Sequence, residues 1–60
     1  MNEYLVTVFD IDRQEYLKIF QTGRDEIEAI EKTDIYISNH TGIITYDIIS
    51  VLSVEVENDK

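Results

Sequence analysis

Apolar residues in this chain fall into short runs that alternate as strands do, with polar turns between them. Residues 4–9 (Tyr4, Leu5, Val6, Thr7, Val8, Phe9) and 15–20 (Glu15, Tyr16, Leu17, Lys18, Ile19, Phe20) flank a polar segment around Asp12 and Arg13, the pattern of a β-hairpin. The segment lacks the Asn-Gly or Asp-Gly of a two-residue primed turn, so turn chemistry alone leaves the loop length open. A two- or four-residue loop sets Val6 opposite Ile19 and Val8 opposite Leu17 on one face. It sets Leu5 opposite Phe20 and Phe9 opposite Tyr16 on the other. Both faces are then apolar. A three-residue loop would mix the two sets, because a slip of one residue exchanges the faces.

Residues 22–33 are the one stretch that reads as a helix. Thr22 is placed to cap the amide of Asp25, and Asp25, Glu26 and Glu28 suit the positive end of a helix dipole. Arg24 with Glu28 and Glu28 with Lys32 are spaced four apart. The apolar stripe is Ile27 and Ile30, with Ala29 marginal. A helix over roughly residues 23–32 is too short to stand alone and must pack on a sheet.

Strand patterns then return. Residues 35–38 and 43–46 flank Asn39, His40, Thr41 and Gly42, with Gly42 suited to the left-handed position of a hairpin loop. Residues 47–50 are expected to form a bend or a single helical turn, and residues 51–57 alternate, with Leu52, Val54 and Val56 inward and Ser53, Glu55 and Glu57 outward. The predicted fold is one α+β domain over residues 1–60. It is a small antiparallel sheet of four or five strands with one short helix, in the order β-β-α-β-β-β.

Composition supports this class. Ten Ile, five Val and five Thr stand against one Ala, favouring pleated surfaces over helices. Sixty residues without cysteine make a domain near the lower limit for folding, with no disulfide and no thiolate ligand or nucleophile. No apolar run reaches the ~18 residues of a membrane span, and residues 1–4 lack the basic start of a secretory signal, so a cytoplasmic protein is expected. Thirteen acidic against five scattered basic residues give a net charge of −8. Direct binding to nucleic acid or to anionic membranes is not expected on that ground.

No constellation in the sequence carries chemistry. Asp10, Asp12 and Glu15 resemble part of a calcium loop, but the glycine and the distant glutamate are missing, and a solvated turn is the ordinary reading. His40, the single histidine, has no serine or cysteine partner in pattern and reads as an exposed turn residue. An enzyme is not expected, nor any cofactor or metal.

Two surfaces stand out instead. One short helix covers only one face of the sheet, so Leu5, Phe9, Tyr16 and Phe20 are left as an apolar patch. A closed barrel, a second copy or a foreign protein could cover it. The acidic residues form two groups, Glu26, Glu28 and Glu31 around the helix, with Asp25 and Asp34 beside them, and Glu55, Glu57 and Asp59 along the last strand. Alternate strand residues repeat at about 6.7 Å, of the order of the phosphate spacing in a nucleic-acid strand, as in a DNA mimic. Plain solubility explains the same charges.

The opening residues Asn2, Glu3, Tyr4, Leu5, Val6, Thr7, Val8 and Phe9 resemble the start of small acidic proteins encoded by phages of low-GC Gram-positive (Firmicute) bacteria. The resemblance covers about eight residues and carries no functional motif. It implies a phage protein of the host cytoplasm that binds and disables a host factor, including a defence protein. Taken together, the expectation is a non-catalytic, dimer-forming binding module. It would inhibit a basic, nucleic-acid-handling host protein stoichiometrically. A homo-oligomeric structural or regulatory accessory is the alternative.

Overall fold

The computed structural model of the chain describes residues 2–54. Four elements follow one another: β1 (Asn2–Asp10), β2 (Glu15–Gly23), α1 (Glu26–His40) and β3 (Tyr46–Val54). β1 lies in the middle of a three-stranded sheet, order β2-β1-β3, antiparallel to both neighbours. β2 and β3 therefore run parallel to each other, and α1 carries the chain across β1 from one edge to the other. The fold is small α+β, in the order β-β-α-β rather than β-β-α-β-β-β.

The first hairpin has the register its apolar pattern predicts, with Val6 paired to Ile19, Val8 to Leu17, Leu5 to Phe20 and Phe9 to Tyr16 across a four-residue loop. Asp10 closes that loop. Its Oδ1 accepts hydrogen bonds from the amides of Asp12 at 3.1 Å and Arg13 at 3.3 Å, and its carbonyl accepts from the amide of Gln14 at 2.7 Å. Gln14 takes the left-handed conformation, φ 58°, that completes the reversal. Asp10 is 4% exposed, so it is no solvated turn residue. Its charge is held by backbone donors, with the Arg13 guanidinium at a loose 3.9 Å.

The helix differs from its predicted extent at both ends. Thr22 still belongs to β2, and Asp25 is the N-cap, its Oδ1 accepting from the Glu28 amide at 2.9 Å. Glu28 reaches back to accept from the Arg24 amide at 2.6 Å, a reciprocal cap shifted one residue outward. The helix then runs on through Ile35, Tyr36, Ile37 and Ser38, which were expected to form a strand. It ends where the Thr41 amide and hydroxyl both donate to the Ile37 carbonyl, at 3.3 and 2.8 Å. Residues 39–42 are thus no hairpin loop, and Gly42 has no positive φ.

The buried helical residues are Ala29, Thr33 and Ile37, four apart, and the expected stripe of Ile27 and Ile30 is not the packing face. Ile27 is 68% exposed and Ile30 half-buried. Small residues at 29 and 33 let the helix lie close to the sheet, where Tyr4, Val6, Val8 and Ile19 complete the core. The Thr33 hydroxyl is satisfied within the helix, donating to the Ala29 carbonyl at 2.8 Å. Gly23 makes the corner between β2 and α1. A Cβ there would meet the Ala29 amide nitrogen at 3.2 Å and the Asp25 carbonyl at 3.3 Å.

β3 is one continuous strand where two strands and a bend were expected. Thr7 pairs with Ser50 but Val8 pairs with Ile48, so Ile49 is an extra, bulged residue. The bulge lets Ile48 and Val51, three apart in sequence, both turn toward the helix and pack against the core. It also inverts the predicted phase of the strand. Leu52, expected inward, is 57% exposed. Val56, Glu55 and Glu57 lie outside the described residues.

Candidate protein-binding face

The pairing registers define the face of the sheet turned away from α1 as four rows across three strands. In the order β2, β1, β3 the rows are Thr22, Glu3, Val54; then Phe20, Leu5, Leu52; then Lys18, Thr7, Ser50; then Tyr16, Phe9, Asp47. The second row is wholly apolar. The fourth is aromatic, with the Phe9 and Tyr16 rings 4.9 Å apart between centroids and tilted by 50°. Six apolar side chains therefore share a surface that α1 does not cover.

Exposure along the rows is uneven, and the reason is geometric. Leu5 and Phe9 stand on the central strand and are half-buried by their neighbours, while Tyr16 and Phe20 on the edge strand are 69% and 68% exposed. All four residues expected on this surface are brought together on it. Leu52 and Val54 belong to it too and were missed, because a clean alternation gives no sign of a bulge. Among the described residues the sheet is open, with the outer edges of β2 and β3 unpaired.

The acidic residues are arranged differently. Glu26 and Glu31 are exposed on the helical layer, the opposite side of the molecule from the apolar rows. Glu28 is engaged, holding the Arg24 amide and lying 3.7 Å from its guanidinium. Asp25 is occupied as the N-cap, and Asp34 accepts a 2.6 Å hydrogen bond from the Tyr46 hydroxyl, tying α1 to β3. That bond raises the Tyr46 phenol above its usual range, helped by burial and by the negative charge of Asp34. Glu55, Glu57 and Asp59 lie outside the described residues. The helical acids therefore do not form one continuous row: among the described residues two have no partner and three are in use.

Two further features adjoin the face. A groove of about 340 Å³ runs beside β2, lined by Leu17, Ile19, Phe20, Tyr36 and Thr41 among others. His40 ends the helix, exposed, with its ring 5.0 Å from that of Tyr36. Among the described residues no helix is long and apolar enough to cross a membrane. In comparisons with known proteins, no family model, no curated protein and no solved structure matches the chain.

Proposed function

We propose that this protein is a non-catalytic binding module that acts stoichiometrically on a protein partner, with the open sheet face as its anchoring surface. The observation that carries the reading is the pair of exposed aromatic residues, Tyr16 and Phe20, on a face whose centre is Leu5 and Phe9. Aromatic residues each bring on the order of 150–250 Å² of burial, and contiguous apolar surface of this kind is what soluble domains otherwise avoid. The net charge of −8 favours a basic partner. With the resemblance of residues 2–9 to Firmicute phage proteins, the finer reading is an inhibitor of a host nucleic-acid enzyme or defence complex. Its net negative charge would then compete with nucleic acid for that host protein.

The test is capture of a partner from a lysate of a low-GC Gram-positive bacterium by the immobilised protein. Capture is expected to be lost with Phe20→Lys and retained with Ile27→Lys, which changes an equally exposed residue on the helix. Added DNA should displace the captured partner, and rising salt should weaken capture. Equal capture by both variants would remove the sheet face from the account.

A further inference from the structure

We infer that the open sheet face is occupied by a second copy of this chain, related by a two-fold axis that runs parallel to the strands above β1. This rests on the reading of the face as a binding surface and names the occupant it holds until a foreign partner displaces it, so dimer formation and partner capture compete for one face.

The face is self-complementary under that one operation. An axis parallel to the strands exchanges the two edges, so β2 of one copy lies over β3 of the other, and each row lies on its own row. Phe20 then covers the partner's Leu52, and Leu5 meets its own mate. Tyr16 lies over the partner's Asp47, whose carboxylate can accept from the phenol, and Lys18 lies over the partner's Ser50, whose hydroxyl can accept from the ammonium. Thr7 meets Thr7 on the axis. Apart from Asp47, which meets the Tyr16 phenol, no charged residue is set on an apolar one. An axis across the strands does worse. Centred between the middle rows, it sets Phe20 on Lys18. Centred on the Phe20 row, it leaves Tyr16 and Phe9 uncovered.

Size and charge set the strength. Three strands of nine residues at ~4.8 Å spacing and ~3.3 Å rise give a footprint of roughly 14 by 30 Å. Two such surfaces with side-chain relief come to about the 1,000 Å² total at which specific interfaces begin. An interface at that lower limit is expected to give a weak, reversible dimer. Each copy carries −8, so like-charge repulsion opposes pairing, and added salt strengthens the dimer. Glu3 meets its mate only at the exposed rim, where water screens the pair. The salt dependence is opposite in sign to that of a contact with a basic partner.

Sedimentation of the full chain across the micromolar range, with and without added salt, should show a monomer–dimer equilibrium that tightens with salt. Phe20→Lys and Leu52→Lys should each weaken it by at least about tenfold while keeping the circular dichroism of the parent. The axis is tested with Thr7→Cys in this cysteine-free chain. Facing sheets stand about 10 Å apart, too far for a disulfide but within reach of a short thiol-reactive cross-linker, which should join two copies. A dimer that ignores Phe20→Lys, or that is not joined through Thr7→Cys, overturns the inference. A monomer at all concentrations overturns it too. If that monomer loses partner capture with Phe20→Lys, the binding-face reading stands without the dimer; if capture is unaffected, both fall.

Discussion

The two faces of the central strand differ in what covers them. Tyr4, Val6 and Val8 alternate with Leu5, Thr7 and Phe9 along the same nine residues, and the two sets are comparable in apolar character. On one face Tyr4 is 5% exposed and the valines fully buried, because α1 lies over them. On the other, Leu5 and Phe9 are shielded only by the sheet itself, and the edge residues beside them are bare. Hydrophobic pattern alone does not distinguish core from interface. The distinction comes from how many layers the chain can supply, and the described residues supply one helix.

Substitutions on the two layers should separate most widely. Ile37→Asp puts an unpaired charge at a fully buried helical position and should unfold the domain, a loss of at least about 4 kcal/mol. Ile27→Asp, on the same helix at a 68% exposed position, should cost less than about 0.5 kcal/mol. Chemical denaturation followed by circular dichroism reads both. Equal losses would show that the helix packs through the wrong side.

Those two isoleucines also mark where the sequence was legible. The first hairpin, its register and its two apolar faces followed from alternation, because strand periodicity and pairing are local properties. The helix was found but misjudged. Ala29, Thr33 and Ile37 form its packing face, of which the expected stripe held only Ala29, and that marginally. The β-branched residues at 35 and 37 favour strands in isolation, and only the sheet beneath makes them helical. The bulge at Ile49 was invisible for a similar reason, since it exists to bring Ile48 and Val51 to one side of a core assembled elsewhere. Of the binding face, the four residues of the hairpin were legible and the two of β3 were not. The acidic residues were visible as charges, but not that Asp25, Glu28 and Asp34 are already in use.

The hairpin loop fixes the β1–β2 pairing and the Gly23 corner carries the chain from sheet to helix, and weakening either should give intermediate effects. Asp10→Ala removes the acceptor for two loop amides and should cost about 1–3 kcal/mol, with Asp10→Asn milder. Gly23→Ala forces a methyl against backbone atoms at the β2–α1 corner and should cost about 1 kcal/mol or more. Thermal melts of the three variants check the order, and a Gly23→Ala protein as stable as the parent would show that the corner can yield.

The smallest effect concerns the Tyr46–Asp34 bond between α1 and β3. The phenol is raised in the folded state, so the folded form holds its proton more tightly than the unfolded one. That contribution is complete below the ordinary tyrosine value near 10 and is lost as pH climbs through the raised one. Ultraviolet titration should show a tyrosine phase above the ordinary value, and Tyr46→Phe should remove that late phase. Its persistence in the variant would place the bond elsewhere.

Tyr4 and Tyr16 allow the central comparison to be measured directly, since they lie on opposite faces of one sheet at 5% and 69% exposure. Chemical labelling of tyrosine rings, mapped by mass spectrometry across a dilution series, should leave Tyr4 unmodified throughout. Tyr16 should label freely in dilute solution and become protected as the protein is concentrated. Protection of Tyr16 even at the highest dilution would mean that the chain covers both faces by itself, and labelling unchanged at every concentration would mean that no second copy seats on the open one.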